Sequence, residues 1–283
     1  MRYSDIPKTV VITGAGSGLG RAMALAWARE GFKVGITDIN MDGARETLDM
    51  VRRAGSDGEA MLCDVRSAED VQAVADHFFE AWGKVGILVN NAGVADVGFV
   101  GDIPLENWER TINTSLWGVT YGCHAFIPGM KAQGAGHIVN TASAGGLMNM
   151  PEMGPYNVVK AGIISLSETL RVELASHGIG VTVLCPSFIR TNLCDTVTCT
   201  DQWQADIVDA LFRYARVTPE EVADCTLKAV KKKRMYVVPQ FTPKWGWRLK
   251  RLNPGAFTAG FAAIYKTPFG KPVAMFFARR GLI

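Results

Sequence analysis

The sequence predicts an α/β fold: a doubly wound parallel sheet with helices on both faces. Three observations predict it. Strand-like and helix-like segments alternate along most of the chain. The strand segments are near-continuous apolar runs without clean polar alternation, as strands buried on both faces require. A glycine cluster links the first strand segment to the first helical one. At 283 residues the chain suits one large domain, or a domain with an extension.

Residues 8–13 (KTVVIT) read as a buried strand, and residues 19–29, beyond the glycines, as a helix. A second strand spans 34–37 and ends at Asp38. Residues 41–53 read helical, and 59–63 form a third strand. Residues 68–82 carry apolar side chains at helical spacing. A fourth strand (86–90, GILVN) precedes a long helix over 105–130, and a fifth (137–141, HIVNT) precedes another over 156–176. A sixth strand covers 180–184. Thr218, Pro219, Glu220 and Glu221 make a helix start: a capping hydroxyl, a proline in the first turn, then acids at the positive end of the helix. That helix runs to about residue 232, and residues 236–238 fit a last strand. Beyond Pro239 the pattern changes, which divides the chain into a main domain over 1–239 and an extension over 240–283.

Composition narrows the function classes. With 48% hydrophobic and 20% charged residues, the chain is neither a long disordered segment nor collagen-like. Six cysteines form no C-x-x-C pair, and Cys194 and Cys199 lack histidines at zinc spacing. Reduced thiols and no metal site are therefore expected. The opening MRYSDIPK lacks the apolar core of a secretory leader, and no apolar run approaches the ~18 residues of a spanning helix. The expected location is the cytoplasm. The net charge of +3 hides an asymmetry. Residues 1–227 hold 17 basic and 27 acidic side chains, whereas residues 228–283 hold 13 basic and no acidic ones.

Thr13-Gly14-Ala15-Gly16-Ser17-Gly18-Leu19-Gly20 lies between the first strand and the first helix. Glycine lets the backbone turn tightly and approach a pyrophosphate, and the helix start offers free N–H groups to its oxygens. Asp38 ends the second strand, 18 residues beyond Gly20. A carboxylate there accepts hydrogen bonds from adenosine ribose hydroxyls and repels the 2′-phosphate of NADP. Its neighbours Ser17, Ile39 and Asn40 are not basic, so the expected cofactor is NAD(H). The alternative reading makes Asp38 an ordinary solvated loop aspartate.

Tyr156 and Lys160 stand four residues apart and share a helix face. A phenol with a pKa of ~10 exchanges protons at neutral pH only when its phenolate is stabilised, as a nearby ammonium does. Ser143 follows the fifth strand, thirteen residues before Tyr156, where its hydroxyl can meet the phenol over a substrate carbonyl. A Y-x-x-x-K alone is common; its place after a fifth parallel strand makes it specific.

With these residues in view, the chain resembles the short-chain dehydrogenase/reductase family. The likeness rests on TGAGSGLG (13–20), Asp64-Val65, NNAG (90–93), Ser143, YNVVK (156–160) and PSFIRT (186–191), in the family's order and spacing over roughly residues 6–240. It implies a Rossmann-like fold and an oxidoreductase. Tyr156 would be the general acid/base. Lys160 would bind the nicotinamide ribose and lower the tyrosine pKa, and Ser143 would position the carbonyl or alcohol. The implied cofactor site comprises Gly14, Ser17, Gly18, Leu19, Gly20 and Asp38, with Asp64 and Val65 flanking the adenine. Asn91, Ala92 and Gly93 would line the cleft, and Ile189 and Thr191 would contact the carboxamide. Two positions depart from the family. Ser115 stands where a fourth catalytic residue, an asparagine, is usual, which implies a modified proton relay; Asn113 is two positions early. Ser187 replaces the usual glycine after the sixth strand.

Met148, Met150 and Met153 lie between Ser143 and Tyr156, as an adaptable apolar wall or as ordinary core packing. Phe188, Leu193, Trp203 and Phe212 fall in the segment that family likeness makes the pocket's lid. The expected substrate is a hydrophobic secondary alcohol or its ketone, with no charged group near the reacting carbon. The alternatives are an NAD-binding sensor or scaffold with weak catalysis, and a membrane-associated lipid- or steroid-type oxidoreductase. Residues 240–283 hold nine aromatic and eight basic side chains. They read as packing on the acidic body or a neighbouring subunit, as peripheral membrane contact, or as nucleic-acid binding. Packing leads, and no nucleic-acid partner is expected. The family likeness also implies a homodimer or homotetramer through the long helices at about 105–130 and 155–177.

Overall fold

A computed structural model of the chain describes residues 3–281. Seven strands form one parallel sheet: β1 (Thr9–Thr13), β2 (Lys33–Asp38), β3 (Gly58–Leu62), β4 (Ile87–Asn90), β6 (Gly136–Thr141), β7 (Ile179–Leu184) and β9 (Tyr236–Val237). Their order is β3-β2-β1-β4-β6-β7-β9, and every pairing is parallel. Two further strands, β5 (Asp96–Val97) and β8 (Thr198–Cys199), pair separately. Strand order reverses between β1 and β4. In such sheets the crevice beyond the carboxyl ends of those two strands takes the ligand.

Alternate residues of the strands feed two cores. On one face Val10, Ile12, Val34 and Ile36 pack with Trp27 and Met23 of α1 (Gly18–Arg29), Leu48 of α2 (Met41–Arg53) and Leu227 of α9 (Pro219–Lys231). On the other Val11, Leu88, Ile138 and Val181 pack with Phe78 of α3 (Ala68–Trp82), Phe126 of α5 (Gly118–Gln133) and Ile163 of α7 (Gly154–Glu173). The strands are apolar throughout because both faces are buried. Thr218 caps α9 through the amide of Glu221, whose carboxylate accepts the Thr218 N–H in return.

Three regions differ from the sequence expectation. The helix expected over 105–130 is α4 (Leu105–Thr111), a π-helical turn over Ile112–Trp117, and α5. The π turn widens the helix at Ser115. The segment after Ser143 begins with a short helix, α6 (Ala144–Met148). The lid segment contains α8 (Gln202–Arg213), and the extension is helical: α10 (Phe241–Leu252), α11 (Pro254–Tyr265) and α12 (Gly270–Arg279). Helix α10 rests on α6. Lys250 Nζ donates to the Leu147 carbonyl at 2.9 Å, and Trp247 packs on Tyr236 with ring centroids 4.9 Å apart. Helix α12 packs against α8.

Candidate active site

The glycine turn sits at the crevice and is held there by the fourth strand. Gly14 has φ +63°, and a Cβ on it would stand 2.8 Å from Ala92 Cα, so only glycine fits. Thr13 Oγ1 accepts the N–H groups of Asn91 and Ala92 at 3.0 and 3.2 Å, and Asn91 Nδ2 donates to the carbonyls of Thr13 and Gly14, each at 3.1 Å. Ser17 is the N-cap of α1, yet its side chain caps no amide. The first N–H groups of α1 thus have no capping side chain and face the crevice, as a pyrophosphate site requires.

Asp38 ends β2 beside this turn. Its carboxylate accepts the N–H of Gly16 and the N–H of Asn40, each at 2.8 Å. The nearby Arg21 guanidinium is committed elsewhere: it donates to Thr47 Oγ1, the Gly16 carbonyl and Glu46. Asp64 is paired with Arg66, whose hydrogen bonds hold the carboxyl below its ordinary value.

Helix α7 starts at Gly154 with Pro155 in its first turn, which sets Tyr156 at the cavity and Lys160 one turn deeper. Lys160 is 4% exposed; its Nζ donates to the Thr141 carbonyl at 2.9 Å and lies 5.5 Å from the Tyr156 ring centroid. Burial pulls its ammonium down to about 8. Ser143 caps α6 by accepting the Gly145 N–H at 3.1 Å, and its hydroxyl donates to the Pro186 carbonyl at 3.2 Å. Burial raises the Tyr156 phenol above its ordinary value, and the nearby Ser143 hydroxyl partly opposes this. In this arrangement burial, and not the Lys160 ammonium that the sequence suggests, sets the direction of the shift.

Ser115 is fully buried in the π turn. Its Oγ accepts the Val94 N–H at 3.1 Å. A Cβ placed on Gly93 would lie 3.2 Å from Ser115 Oγ and 3.5 Å from Lys160 Nζ. Ser115 therefore stands behind Gly93, on the Lys160 side, and does not line the cavity.

One cavity of about 700 Å³ collects the other sequence-predicted positions. Gly14, Ser17, Gly18, Leu19, Gly20, Asp38, Asp64 and Val65 line it, as do Asn91, Ala92, Gly93, Ile189 and Thr191, and so do Ser143, Tyr156 and Lys160. Met148, Met150, Met153, Phe188, Leu193, Trp203 and Phe212 are also on its wall. A dinucleotide fits these residues: the glycine turn has no Cβ in the way, a carboxylate stands at the end of β2, and Thr141 Oγ1 is buried without a protein partner. Sequence reasoning missed part of the wall. Phe261, Ile264 and Tyr265 of α11, with Lys271 and Ala274 of α12, line the same cavity. Tyr265 meets Phe99 edge-on, and Lys271 Nζ lies 5.2 Å from the Trp203 ring centroid. No local spacing marks these residues; their aromatic and basic composition is the one signal, and it fits several surfaces.

A reversed strand order, a glycine turn at the switch point and a tyrosine–lysine–serine cluster define a Rossmann-type nucleotide-binding oxidoreductase. A family model described as short chain dehydrogenase matches residues 8–202. The chain belongs to the short-chain dehydrogenase/reductase family. It is 36% identical over 234 residues to "Probable oxidoreductase EphD" of Mycobacterium tuberculosis, covering 80% of this chain and 40% of that protein. The chain thus spans under half of EphD's length. It is 33% identical over 187 residues to a cyclohexanol dehydrogenase of Acinetobacter sp., covering 66% of this chain and 74% of that one. A crystal structure of a family member from Burkholderia phymatum in complex with NAD superposes with a TM-score of 0.83 at 34% identity, covering 88% of this chain and 94% of that one.

Proposed function

We propose that the chain is an NAD(H)-dependent oxidoreductase interconverting a hydrophobic secondary alcohol and its ketone, with Tyr156 as general acid/base. The observation that carries this is the convergence of Ser143, Tyr156 and Lys160 on one apolar-walled cavity whose wall also includes Asp38. Bound nicotinamide supplies the hydride acceptor for oxidation and the donor for reduction. Tyr156 exchanges a proton with the oxygen on the reacting carbon. The Ser143 hydroxyl, on the same cavity wall as the phenol, holds that oxygen beside it. The Lys160 ammonium stabilises the phenolate when Tyr156 gives up its proton. Ser115 acts as a positioning residue: its hydroxyl fixes the Val94 amide and so the Gly93 backbone beside Lys160.

Asp38, with Arg21 tied to Glu46 and Thr47, supports NAD(H) over NADP(H), and so does the NAD bound to the Burkholderia protein. The methionine-rich wall and the likeness to a cyclohexanol dehydrogenase support an apolar alcohol. Exposed Leu105 and Trp117, together with Val158 and Val172 on α7, support a homodimer or homotetramer through these helices. Residues 1–239 act as the cofactor-binding and catalytic domain, and residues 240–283 as an extension closing the substrate side. The reading is tested by following NAD⁺ and NADP⁺ reduction with a panel of apolar secondary alcohols, wild type beside Tyr156→Phe. Turnover by the wild type with NAD⁺ that vanishes in the variant supports it; equal turnover by both proteins ends it.

A further inference from the structure

Helix α10 has two working faces. Pro243, Gly246, Trp247 and Lys250, at helical spacing, turn inward: Trp247 packs at a tilt on Tyr236, Lys250 bonds the Leu147 carbonyl, and Gly246 abuts Met148. The opposite face is largely exposed and as apolar as an inner one. Phe241, Trp245, Leu249 and Leu252 are 74, 47, 57 and 83% exposed and recur at the spacing of one helical stripe. Lys244, Arg248 and Arg251 flank that stripe, with the Arg248 guanidinium 5.1 Å from the Trp245 ring centroid. The whole of residues 240–283 holds eight basic side chains and no acidic one. Exposed Phe269, Val273, Phe276 and Phe277 repeat the combination on and before α12.

We propose that the outer face of α10 docks on an anionic lipid bilayer, with the helix lying in the plane of the interface. Aromatic and leucine side chains flanked by lysine and arginine, on a helix too short to span, suit that boundary. No helix among the described residues is long and apolar enough to cross a membrane. Charge favours an anionic surface, since every titratable side chain of residues 240–283 is a cation or a phenol. The inner face joins this contact to the reaction site. It rests on α6, whose N-cap is Ser143, and on Met148, which lines the cavity, while the next helix supplies Tyr265 to the cavity wall. Lipid bound on one side of α10 thus lies one helix away from the substrate pocket, a placement that suits a substrate drawn from the bilayer.

The test is co-sedimentation of the full chain with phosphatidylglycerol/phosphatidylcholine vesicles and with phosphatidylcholine vesicles alone, and it needs no turnover. The wild type is expected to bind the anionic vesicles, to release them as salt rises, and to bind the zwitterionic ones far less. Trp245→Glu/Leu249→Glu is expected to lower the partition coefficient at least about tenfold, while Leu62→Glu, an exposed site on the sheet, leaves it unchanged. NADH binding by each variant reports an intact fold. Absence of wild-type binding at low salt, or equal binding by the double variant, overturns the proposal. A double variant whose mass in lipid-free sedimentation falls below that of the wild type also overturns it, because the face is then a contact between copies of the chain.

Discussion

The backbone N–H of Gly16 donates to the Asp38 carboxylate at 2.8 Å, tying the end of β2 to the turn that precedes α1. A Cβ on Gly16 would stand 2.9 Å from that carboxylate, so the contact depends on glycine. The same oxygens face the cavity and retain lone pairs for ribose hydroxyls. Asp38→Asn keeps the shape and removes the charge. It is expected to lower kcat/KM for NAD⁺ about tenfold, the worth of one charge-assisted hydrogen bond, and to raise kcat/KM for NADP⁺. Steady-state kinetics with both cofactors check this; an unchanged ratio would remove Asp38 from cofactor selection.

Tyr156→Phe deletes one oxygen and leaves the ring beside Lys160. A general acid/base contributes about 10²–10⁴-fold, so kcat is expected to fall by that factor while NADH affinity, measured by fluorescence titration, stays within about twofold. A variant that loses NADH binding along with kcat would point to a structural role instead.

Much of this site was legible in the sequence because its signals are local. The glycine turn follows an apolar strand, Asp38 closes the next one, and Tyr156 and Lys160 share a helix face. Each expected strand lies within a residue or two of the observed one, because burial on both faces leaves unbroken apolar runs. Three features were not legible, and each depends on residues far apart. The π turn at Ile112–Trp117 has a helical pattern on both sides, and its widening is tied to Val94, 21 residues earlier. Strands β5 and β8 contribute two residues each, too few for any period. The extension's place on the cavity wall comes from contacts such as Tyr265 with Phe99, which no neighbouring residue announces.

Ser115→Ala tests the role of the π turn. Ser115 touches Val94 and stands behind Gly93, so its loss should loosen the backbone beside Lys160 without opening the cofactor cleft. The expected outcome is a drop in kcat of about tenfold, little change in the KM for NAD⁺, and an altered pH–rate profile. Ser115→Thr, which keeps a hydroxyl, should recover part of the loss. If alanine matches the wild type at every pH, Ser115 positions nothing that matters to the reaction.

Asp96 fastens the lid. It is 1% exposed, and its carboxylate accepts hydrogen bonds from Asn107, Arg110, Thr111 and Thr198. Thr198 opens β8, which leads into α8 and the cavity residues Trp203 and Phe212. Asp96→Ala leaves Arg110 without its carboxylate partner, and because that side chain is partly solvated the cost is expected to be about 2 kcal/mol, below that of a fully buried pair. Urea denaturation measures it. The KM for the alcohol should rise with the lid loosened, while NAD⁺ affinity should hold; a change in NAD⁺ affinity alone would mean the cluster serves the other end of the cavity.

Lys160 sets a conflict between stability and the proposed chemistry, and pH should expose it. Burial lowers its folded-state pKa from 10.5 to about 8. Between those values the unfolded chain holds a proton that the folded chain has released, so stability rises with pH across that window. Below about pH 8 both states are protonated and the full cost of burying the ammonium is present. Lys160→Met removes that cost. Without added cofactor, the variant is expected to be more stable than the wild type at pH 7 by up to about 3 kcal/mol. The difference should shrink as pH climbs from about 8 towards 10.5, where the wild-type side chain is neutral when folded. Urea denaturation of both proteins at pH 7 and near pH 10 decides it. A variant less stable than the wild type at pH 7 would show that the hydrogen bond from Nζ to the Thr141 carbonyl outweighs the burial of its charge.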